Sequence, residues 1–465
     1  MPRTPALDTL LGRLHRSLGG RVSTDGEALD KVASDESGLA KGDPGGVVWP
    51  LTTAEVALVA KEAAELGVCL VPRGGGTGKA GGCIPLGGEL VVDVSRMKRL
   101  LELRPHDLYA VVEPGLVNAE LGLAASEVGF MYPPDPASYE SCTLGGNIAT
   151  NAGGARAVKY GCTQRYVWGL TAVLMGGEVL SMGRRSIKGV AGYDLTSLLV
   201  GSEGTLAIVT EAVLHLVPAP PAVETAWLAF PDPLSASLAA ERVFAAGLVP
   251  RIMELLDEEA IAAVRSKSPF DIPEGGAGLL VEADGRDEVA FAELSRMCEI
   301  ALENGATSSA VATNERDREA MRRARRLVSS SLKELYPYKI SDDTAVPRSR
   351  LPELLVHARE QAESQGLGFA AYGHLGDGNV HVNLLCRSPD ERERARTVQR
   401  AILSAVVGLG GTITGEHGIG LAKRDLLDLE QSAALIGLEQ RLKHLFDPRN
   451  LLNPGKALPL ALRGQ

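Results

Sequence analysis

Aromatic side chains are scarce in this chain, at 4% of 465 residues, and cysteines number only six. Those cysteines (Cys69, Cys83, Cys142, Cys162, Cys298 and Cys386) are scattered, with no CxxC and no paired spacing. That pattern excludes a zinc ribbon or an iron–sulfur signature and fits free thiols in a reducing compartment. No apolar run approaches the ~18 residues of a membrane span. Basic charge is also short: 48 Lys and Arg against 58 Asp and Glu leave a formal net charge of −10. An acidic chain of this kind argues against nucleic acid or an anionic membrane as the main partner. Arg3, Arg13 and Arg16 are spread through an N-terminus that reads as a helix begun by Thr4-Pro5 rather than as a transit peptide. Leu7, Leu10, Leu11, Leu14 and Leu18 fall on one face of it.

Glycine, by contrast, is plentiful at 53 residues. The densest stretch is Pro72–Gly82, PRGGGTGKAGG, after a short apolar run at Val68–Val71 that reads as a strand. Backbone N–H groups in such a loop can turn inward with no Cβ in the way, which suits a pyrophosphate. GTGKAG (Gly76–Gly81) matches the dinucleotide fingerprint, but that motif requires a helix to open here. The following CIPLGGELVVDV (Cys83–Val94) reads as extended chain instead. The Walker pattern also fails, with Arg73 in place of its first glycine and Ala80 in place of its Ser or Thr. The expectation is a loop between two strands that holds phosphate through backbone amides.

Length allows two to four domains. Thr52-Thr53-Ala54-Glu55 starts a helix whose stripe, Val56, Val59, Ala60 and Ala63, runs to Gly67. A strand at Tyr109–Val112 and a helix around Asn118–Val128 follow. Tyr132–Gly161 has almost no apolar periodicity and reads as loop pressed against a large flat ligand, with small residues permitting close approach. Ser197–Val200 leads into a turn at Gly201–Gly204, with strands expected at Leu206–Thr210 and Val213–Val217. The run PAPPA (Pro218–Ala222) marks a domain boundary. Beyond it, strand 223–230, helix 234–246, strands 250–255 and 277–283, helix 286–303 and strand 306–312 give the order β-α-β-β-α-β, a ferredoxin-like unit. A charged helix Asn314–Leu335, the segment Lys339–Pro347 and a helix Leu351–Gln365 come next. Strand Gly368–His374, a hairpin turn, strand Val380–Leu385 and a helix Asp390–Val407 follow. No internal repeat is visible.

Of eight histidines, three lie in two glycine-flanked turns: His374 and His381 in GHLGDGNVH, and His417 in GEHG. Alternation puts Val380, Val382 and Leu384 on one face of the returning strand and His381 with Asn383 on the other. The hairpin brings His374 beside His381, and Glu416 supplies a carboxylate from a separate loop. Two imidazoles and a carboxylate with open positions suit Zn²⁺ or Mn²⁺ as a Lewis acid. His417 is then available as a base toward an acidified hydroxyl. Arg322, Arg323, Arg325 and Arg326 form the densest basic run. Most of that run reads as a helix face paired with Glu315, Asp317 and Glu319, while one inward guanidinium could clamp a carboxylate.

Three blocks taken together, PRGGGTGKAGG, PPDPASYESCTLGGNIATNAGG with KYG after it, and GSEGTLAIVTEAVLHLVP, resemble the flavin-binding domain of the vanillyl-alcohol oxidase superfamily. GHLGDGNVH, GEHGIG and FDPRNLLNPGK resemble the C-terminal half of its 2-hydroxy-acid branch. That branch holds D-lactate dehydrogenases, the flavin subunit of glycolate oxidase and D-2-hydroxyglutarate dehydrogenase. The resemblance implies an α+β protein with a two-part FAD-binding domain and a ferredoxin-like antiparallel substrate domain with C-terminal helices. It implies an N-terminal helical segment over residues 1–40 and the FAD domain over 41–218. A substrate or cap domain with the metal site would span 219–424, and a C-terminal helical segment over 425–465 would return to the FAD domain.

The resemblance further implies FAD, with its pyrophosphate on Pro72, Arg73, Gly74, Gly75, Gly76, Thr77 and Gly78. Further contacts would come from Pro134, Asp135, Thr143, Gly145, Gly146, Asn147, Asn151, Gly153, Gly204, Ile208 and Asn453. Thr77 stands where covalently flavinylated relatives have a histidine nearby, so the flavin should be dissociable. By the same resemblance His374, His381 and Glu416 are metal ligands and His417 the base. Arg325, Ser329, Lys339 and Asn383 would meet the substrate. Ser329 replaces the Thr of the hydroxyglutarate enzymes, and Ser341 stands near their substrate lysine with Lys339 two residues away. Both departures favour a small acid such as D-lactate or glycolate over a dicarboxylate.

The reading is therefore an FAD-dependent 2-hydroxy-acid dehydrogenase or oxidase passing electrons to a quinone, a cytochrome or an electron-transfer flavoprotein. A cytoplasmic place, with the inner membrane face as a peripheral option, goes with it. A homodimer, a subunit of a glycolate-oxidising complex, D-2-hydroxyglutarate as substrate, and a non-catalytic nucleotide- and metal-binding protein stand as alternatives.

Overall fold

The computed structural model describes residues 3–459, which form two compact units. The first takes in 3–152, 162–219 and 416–459; the second takes in 153–161 and 220–415. The expected segments 1–40 and 425–465 therefore extend at their ends beyond the described residues.

In the first unit, helix α1 (Pro5–Leu18) starts where Thr4 accepts the Leu7 N–H at 3.3 Å, and its five leucines are all buried. They pack on α2 (Thr53–Leu66), whose Val56, Val59, Ala60 and Ala63 are buried in turn. Thr52 caps α2 and Gly67, at φ +70°, ends it, because only a residue without Cβ turns left-handed there at no cost. Strands β1 (Val22–Ser23), β2 (Gly46–Val48), β3 (Leu70–Arg73) and β4 (Leu90–Asp93) form a sheet in the order β1-β2-β4-β3. β4 runs parallel to both neighbours. The glycine loop is thus the crossover between parallel β3 and β4, made without a helix.

A second, antiparallel sheet contains β5 (Leu100–Arg104), β6 (Tyr109–Val112), β7 (Val167–Val173), β8 (Val179–Gly183) and β9 (Ile208–His215), in the order β5-β6-β9-β7-β8. Val173 of β7 and Ile208 of β9 join the core built on α1 and α2. Two expectations are corrected here. Leu206–Thr210 and Val213–Val217 are not separate strands: β9 is continuous, with inward residues at every second position and register shifts absorbed beside β7. Ser197–Leu199 lie in a short helix, Leu195–Leu199, capped by Asp194, which leads into the expected turn. The segment Tyr132–Gly161 also contains a helix, Leu144–Thr150, begun by Thr143. Its glycine pair hides it, since glycine is a poor helix former in isolation.

The second unit is a seven-stranded antiparallel sheet. Its first half is β10 (Ala222–Phe230), α3 (Pro233–Ala245), β11 (Ile252–Asp257), α4 (Glu258–Arg265), β12 (Ala277–Gly285), α5 (Asp287–Glu303) and β13 (Ser308–Val311). The order β13-β10-β12-β11 is the ferredoxin-like arrangement, with α4 as an unforeseen extra turn of chain. Helices α6 (Glu315–Arg326) and α7 (Val328–Leu335) replace the single expected helix Asn314–Leu335 and meet at Leu327. The second half is β14 (Ile340–Ala345), α8 (Leu351–Ser364), β15 (Gly368–His374), β16 (Asn379–Leu385) and α9 (Pro389–Gly408). Its strands lie β15-β16-β14, so it repeats the first half's β-α-β-β-α course, and β11 pairs with β15 to fuse the two. This repeat lies in topology; no repeated residue pattern announces it.

Helices cover both faces of the sheet. α3, α5, α8 and α9 close one side around Phe230, Leu255, Leu279, Val380 and Val382. α4, α6 and α7 close the other around Trp227, Leu256, Leu280 and Tyr372. A sheet buried on both faces leaves no solvent for charged strand residues, so each must find a partner inside.

Leu10 on α1 is fully buried. Leu10→Ala should lower unfolding stability by about 2–5 kcal/mol. Leu123→Ala, at a site 65% exposed, should change it by less than about 0.5 kcal/mol. Denaturant titration of the two variants checks this, and equal midpoints would show that α1 is not part of the core.

Candidate functional site

In the first unit the two glycine-rich segments meet. Gly75 donates its N–H to Thr143 Oγ1 at 3.2 Å, and the same hydroxyl caps the Gly146 N–H at 3.4 Å. A Cβ on Gly74 would lie 2.4 Å from that oxygen, and one on Gly145 would lie 2.6 Å from Pro114 Cβ. These glycines are therefore demanded by loop-to-loop packing. Arg73 does not present its guanidinium outward: it donates to the carbonyls of Ser34 (2.8 Å) and Lys31 (3.3 Å) and reaches Cys83 Sγ at 3.2 Å. Gly76, at φ +70°, wraps this guanidinium so closely that a Cβ would fall 2.0 Å from it. What Arg73 offers a ligand is its main chain and a rigid loop base. Gly78 has only Asp35 near, at 3.6 Å from a built Cβ, and Pro72 and Thr77 are half-buried beside it.

The remaining expected flavin residues fall into distinct roles. The Pro134 carbonyl, beside half-buried Asp135, is held by Asn118 Nδ2 at 3.2 Å. Asn151, left-handed at φ 52°, caps its helix and accepts the Gln164 N–H at 2.9 Å. Gly153 lies in the 153–161 segment of the second unit. Gly204 approaches Pro72 so that a Cβ would sit 3.3 Å from its ring. The Ile208 side chain is committed to the core. Asn453 links the blocks, donating Nδ2 to the carbonyls of Gly82 (2.9 Å) and Glu203 (2.8 Å) and its N–H to Leu70 O (2.7 Å).

Among the buried polar atoms in or beside these segments with no hydrogen-bond partner within the protein are Asn147 Nδ2, Asn453 Oδ1 and Lys456 Nζ. Burial brings the Lys456 ammonium down to about 8. Two donors and an acceptor left unpaired would each cost about 1–3 kcal/mol in an empty fold, and they fit a nucleotide rich in both kinds of group. The residues present therefore suit FAD.

Glu203 was not singled out from the sequence. It is buried at φ 52°, and its Oε1 and Oε2 accept the N–H groups of Ile419 and Gly420, each at 2.8 Å. It thus clasps the turn that follows His417. Glu416 and His417 open this last segment of the first unit, half-buried, with His417 Nε2 3.9 Å from Glu416 Oε1.

The second unit brings together most of the other expected residues. The hairpin sets His374 beside His381, ring centroids 5.6 Å apart and nearly perpendicular. His381 and Asn383 face away from Val380, Val382 and Leu384, as alternation requires. Asn383 is fully buried, donating to the carbonyls of His381 (3.0 Å) and Ala370 (3.3 Å) and accepting from Lys339 Nζ at 2.9 Å. Ser341 lies opposite Asn383 in register. Ser329 lies on the exposed side of α7.

Two buried carboxylates that sequence reasoning missed stand behind the histidines. Glu254 Oε1 lies 2.5 Å from His374 Nδ1, and its Oε2 accepts Arg325 Nε at 2.6 Å. Burial alone would raise this carboxyl, but His374 and Arg325 together hold it down to about 2. Asp343 accepts from Asn379 Nδ2 (2.6 Å) and Thr414 Oγ1 (3.1 Å), with His381 Nδ1 3.7 Å away. The arginine run resolves by face. Arg318, Arg322 and Arg325 reach Glu224, Glu282 and Glu254 on the sheet, whereas Arg326 pairs along the helix with Glu319 and Arg323 is exposed. Pairing with Glu315 holds as an addition to the sheet contacts of Arg318 and Arg322.

Residues 44–183 match the family model for an FAD binding domain, and 219–457 match that for the C-terminal domain of FAD linked oxidases. The chain is 38% identical over 416 residues to the glycolate oxidase subunit GlcD of Bacillus subtilis, covering 89% of this chain and 88% of that protein. It is 35% identical over 414 residues to a D-lactate dehydrogenase of Archaeoglobus fulgidus, covering 89% and 91%. It is also 35% identical over 464 residues to a D-2-hydroxyglutarate dehydrogenase of Xanthomonas citri, covering 94% of each. Among solved structures, p-cresol methylhydroxylase superposes with a TM-score of 0.80 at 16% identity, covering 100% of this chain and 99% of that one. The last likeness is one of fold.

Burial pushes the Glu203 carboxyl from its ordinary 4.5 up to about 7, against the two backbone N–H groups that favour its ion. The folded chain thus keeps a proton that the unfolded chain releases. The stability this contributes is fully present below pH 4.5 and is lost as pH rises through about 7. Asp257, also raised to about 7 by burial, adds a parallel contribution in the second unit. Glu203→Gln should flatten part of the fall in urea midpoint between pH 5 and 8, and a slope equal to the parent's would exclude Glu203 as a titrating group.

Proposed function

The chain belongs to the FAD-linked oxidase family and is an FAD-dependent oxidoreductase of its 2-hydroxy-acid branch; we propose that it oxidises a small D-2-hydroxy acid, D-lactate or glycolate, to the 2-oxo acid. The observation that carries this reading is the buried link His374–Glu254–Arg325, which sets a metal-type ligand and a carboxylate-type clamp on one acidic hinge. A 2-hydroxy acid presents the matching pair of groups, a hydroxyl and a carboxylate on adjacent carbons.

Arg325 binds the substrate carboxylate through the Nη edge that Glu254 leaves to it, and so sets which face of C2 is offered for oxidation. Lys339 and Asn383, already hydrogen-bonded to each other, give the far side of the site a fixed cation and amide. His417 takes the hydroxyl proton on a ring nitrogen, with Glu416 next to it to support the resulting charge. His374, His381 and Glu416 would hold a divalent ion, Zn²⁺ or Mn²⁺, their donor set being two imidazoles and a carboxylate. When bound, FAD supplies a hydride acceptor and the ion supplies Lewis acidity toward the hydroxyl. Non-covalent holding of FAD is consistent with Thr77 in the glycine loop.

The small-acid choice rests on Ser329 and Ser341, neither of which is the residue that the hydroxyglutarate enzymes carry there, while Lys339, the cation nearest to that role, is already bonded to Asn383. D-2-hydroxyglutarate is the runner-up, because Lys339 stands two residues from Ser341 and a relative carries that activity in its name. The glycolate oxidase subunit relatives support a place in a multi-subunit complex. The six cysteines are all free, and such a complex would take electrons onward through a partner, a quinone, a cytochrome or an electron-transfer flavoprotein. No helix among the described residues is long and apolar enough to cross a membrane.

Anaerobic mixing of the FAD-loaded protein with D-lactate, L-lactate, glycolate and D-2-hydroxyglutarate tests the substrate: D-lactate or glycolate should bleach the flavin fastest, and preference for the dicarboxylate would replace this reading by the runner-up. His417→Ala should retain its flavin and lose about 10²–10⁴-fold in the rate of bleaching. Bleaching at the parental rate would remove His417 from the role of base.

A further inference from the structure

We infer that Glu254 is a positioning residue that locks the ligand tautomer of His374 and aims Arg325, coupling the metal site to the carboxylate clamp. The inference rests on the proposed function and assigns a role within the same site to a residue outside its ligand and substrate sets.

Glu254 lies in the middle of β11, 1% exposed, directly opposite His374 across the only pairing between the two half-sheets among the described residues. An ionised carboxylate has no hydrogen to give, so at 2.5 Å from Nδ1 it accepts, and the imidazole proton resides on Nδ1. That places the ring's lone pair on Nε2, the nitrogen directed away from Glu254. A carboxylate behind an imidazole also raises its strength as a ligand. The second oxygen takes Arg325 Nε at 2.6 Å, and the guanidinium lies 4.9 Å over the Tyr372 ring. With one edge held by Glu254 and one face by Tyr372, the guanidinium plane is set and its end-on Nη pair is the edge that remains for a planar anion. Tyr372 in turn meets His381 edge-on at 5.2 Å.

The carboxylate nearest His381 Nδ1 in the second unit does not have this geometry. Asp343 is 3.7 Å from His381 Nδ1, beyond hydrogen-bond reach, and its oxygens serve Asn379 and Thr414. Glu282 provides the matching control on the arginine side. It holds Arg322 Nε at 2.6 Å, as Glu254 holds Arg325, but its other partners are Thr225 and Arg251. The same buried Arg–carboxylate contact thus occurs once with a histidine and once without.

The test uses the FAD-loaded protein as parent, Glu254→Gln, Glu282→Gln and His381→Ala, with ¹⁵N-labelled histidine. A glutamine has one acceptor oxygen and an NH₂, so it can serve His374 or Arg325 but opposes the other donor. Zn²⁺ affinity, measured against a competing chelator, should fall about 10–100-fold in Glu254→Gln. It should stay within about twofold in Glu282→Gln, and the parent's His374 should show a protonated Nδ1 in its ¹⁵N spectrum. Unchanged Zn²⁺ affinity in Glu254→Gln, or an equal loss in Glu282→Gln, would overturn the role. If the parent binds no Zn²⁺ that His381→Ala abolishes, the metal reading itself fails. The ¹⁵N spectrum then decides alone: Nδ1–H in the parent that is lost in Glu254→Gln upholds the positioning role, and Nε2–H in the parent refutes it.

Discussion

The seam between β11 and β15 is the constraint on which the second unit depends. Only three register pairs hold the two half-sheets together there, Glu254 with His374, Leu255 with Gly373 and Leu256 with Tyr372. Helices pack on both faces beside the seam, and Glu254 and His374 are both buried, so the carboxylate has little bulk water to pair with. A lone buried carboxylate would either take up a proton or destabilise the fold by several kcal/mol. Arg325 from one side and His374 from the other remove that cost. The same contacts that make the fused sheet tolerable also fix a guanidinium and an imidazole in one arrangement. Here stability and chemistry are served by one set of hydrogen bonds.

The first unit solves a different problem, holding a large polar cofactor with little side-chain help. Several glycines of its two glycine-rich segments are dictated by the protein packing on itself, as Gly74 and Gly145 show against Thr143 and Pro114. Arg73 is committed to the carbonyls of Lys31 and Ser34, which ties the loop to the N-terminal segment instead of to a phosphate. Asn453 stitches the C-terminal tail to both the glycine loop and the Glu203 turn. The loops are therefore rigid before any ligand enters, which lowers the ordering cost of binding. The same rigidity leaves a handful of buried atoms, such as Lys456 Nζ, without a protein partner.

Much of this was legible in the chain. Thr4 and Thr52 announced their helices by side-chain chemistry local to one turn, and the structure keeps both caps. The β-α-β-β-α-β rhythm beyond Pro218 was readable because strands and helices there have clean periods. The hairpin of His374 and His381 was readable from its glycine turn. What escaped has a common cause. Helix Leu144–Thr150 carries two glycines whose place is set by the neighbouring loop, so propensity pointed the wrong way. Glu254 sits in the expected strand IMELLD and Asp343 in ISDDTA, a stretch read only as a connecting segment, and in both an acidic residue suggests a solvent face. Nothing local says that the folded sheet will bury both carboxylates. The fused half-sheets were invisible for the same reason, since their repeat is in the course of the chain and not in its residues.

The arginine run shows how tertiary geometry selects among residues that sequence leaves equivalent. Arg318, Arg322 and Arg325 are four and three residues apart, so along α6 they advance by about 6 Å and then about 4.5 Å. Neighbouring strands are spaced about 4.8 Å apart. Their partners Glu224, Glu282 and Glu254 lie on β10, β12 and β11, which are successive strands of the sheet. A helix laid across strands thus meets one carboxylate per strand with one arginine per turn, while Arg323 is turned away by the same periodicity and Arg326 pairs along the helix with Glu319. The first two contacts end in structural networks with Glu315, Thr225 and Arg251. The third ends at the seam, where the carboxylate also faces His374. Arg325 differs from its neighbours in the run only by which strand it reaches, and that position is what makes it the candidate clamp.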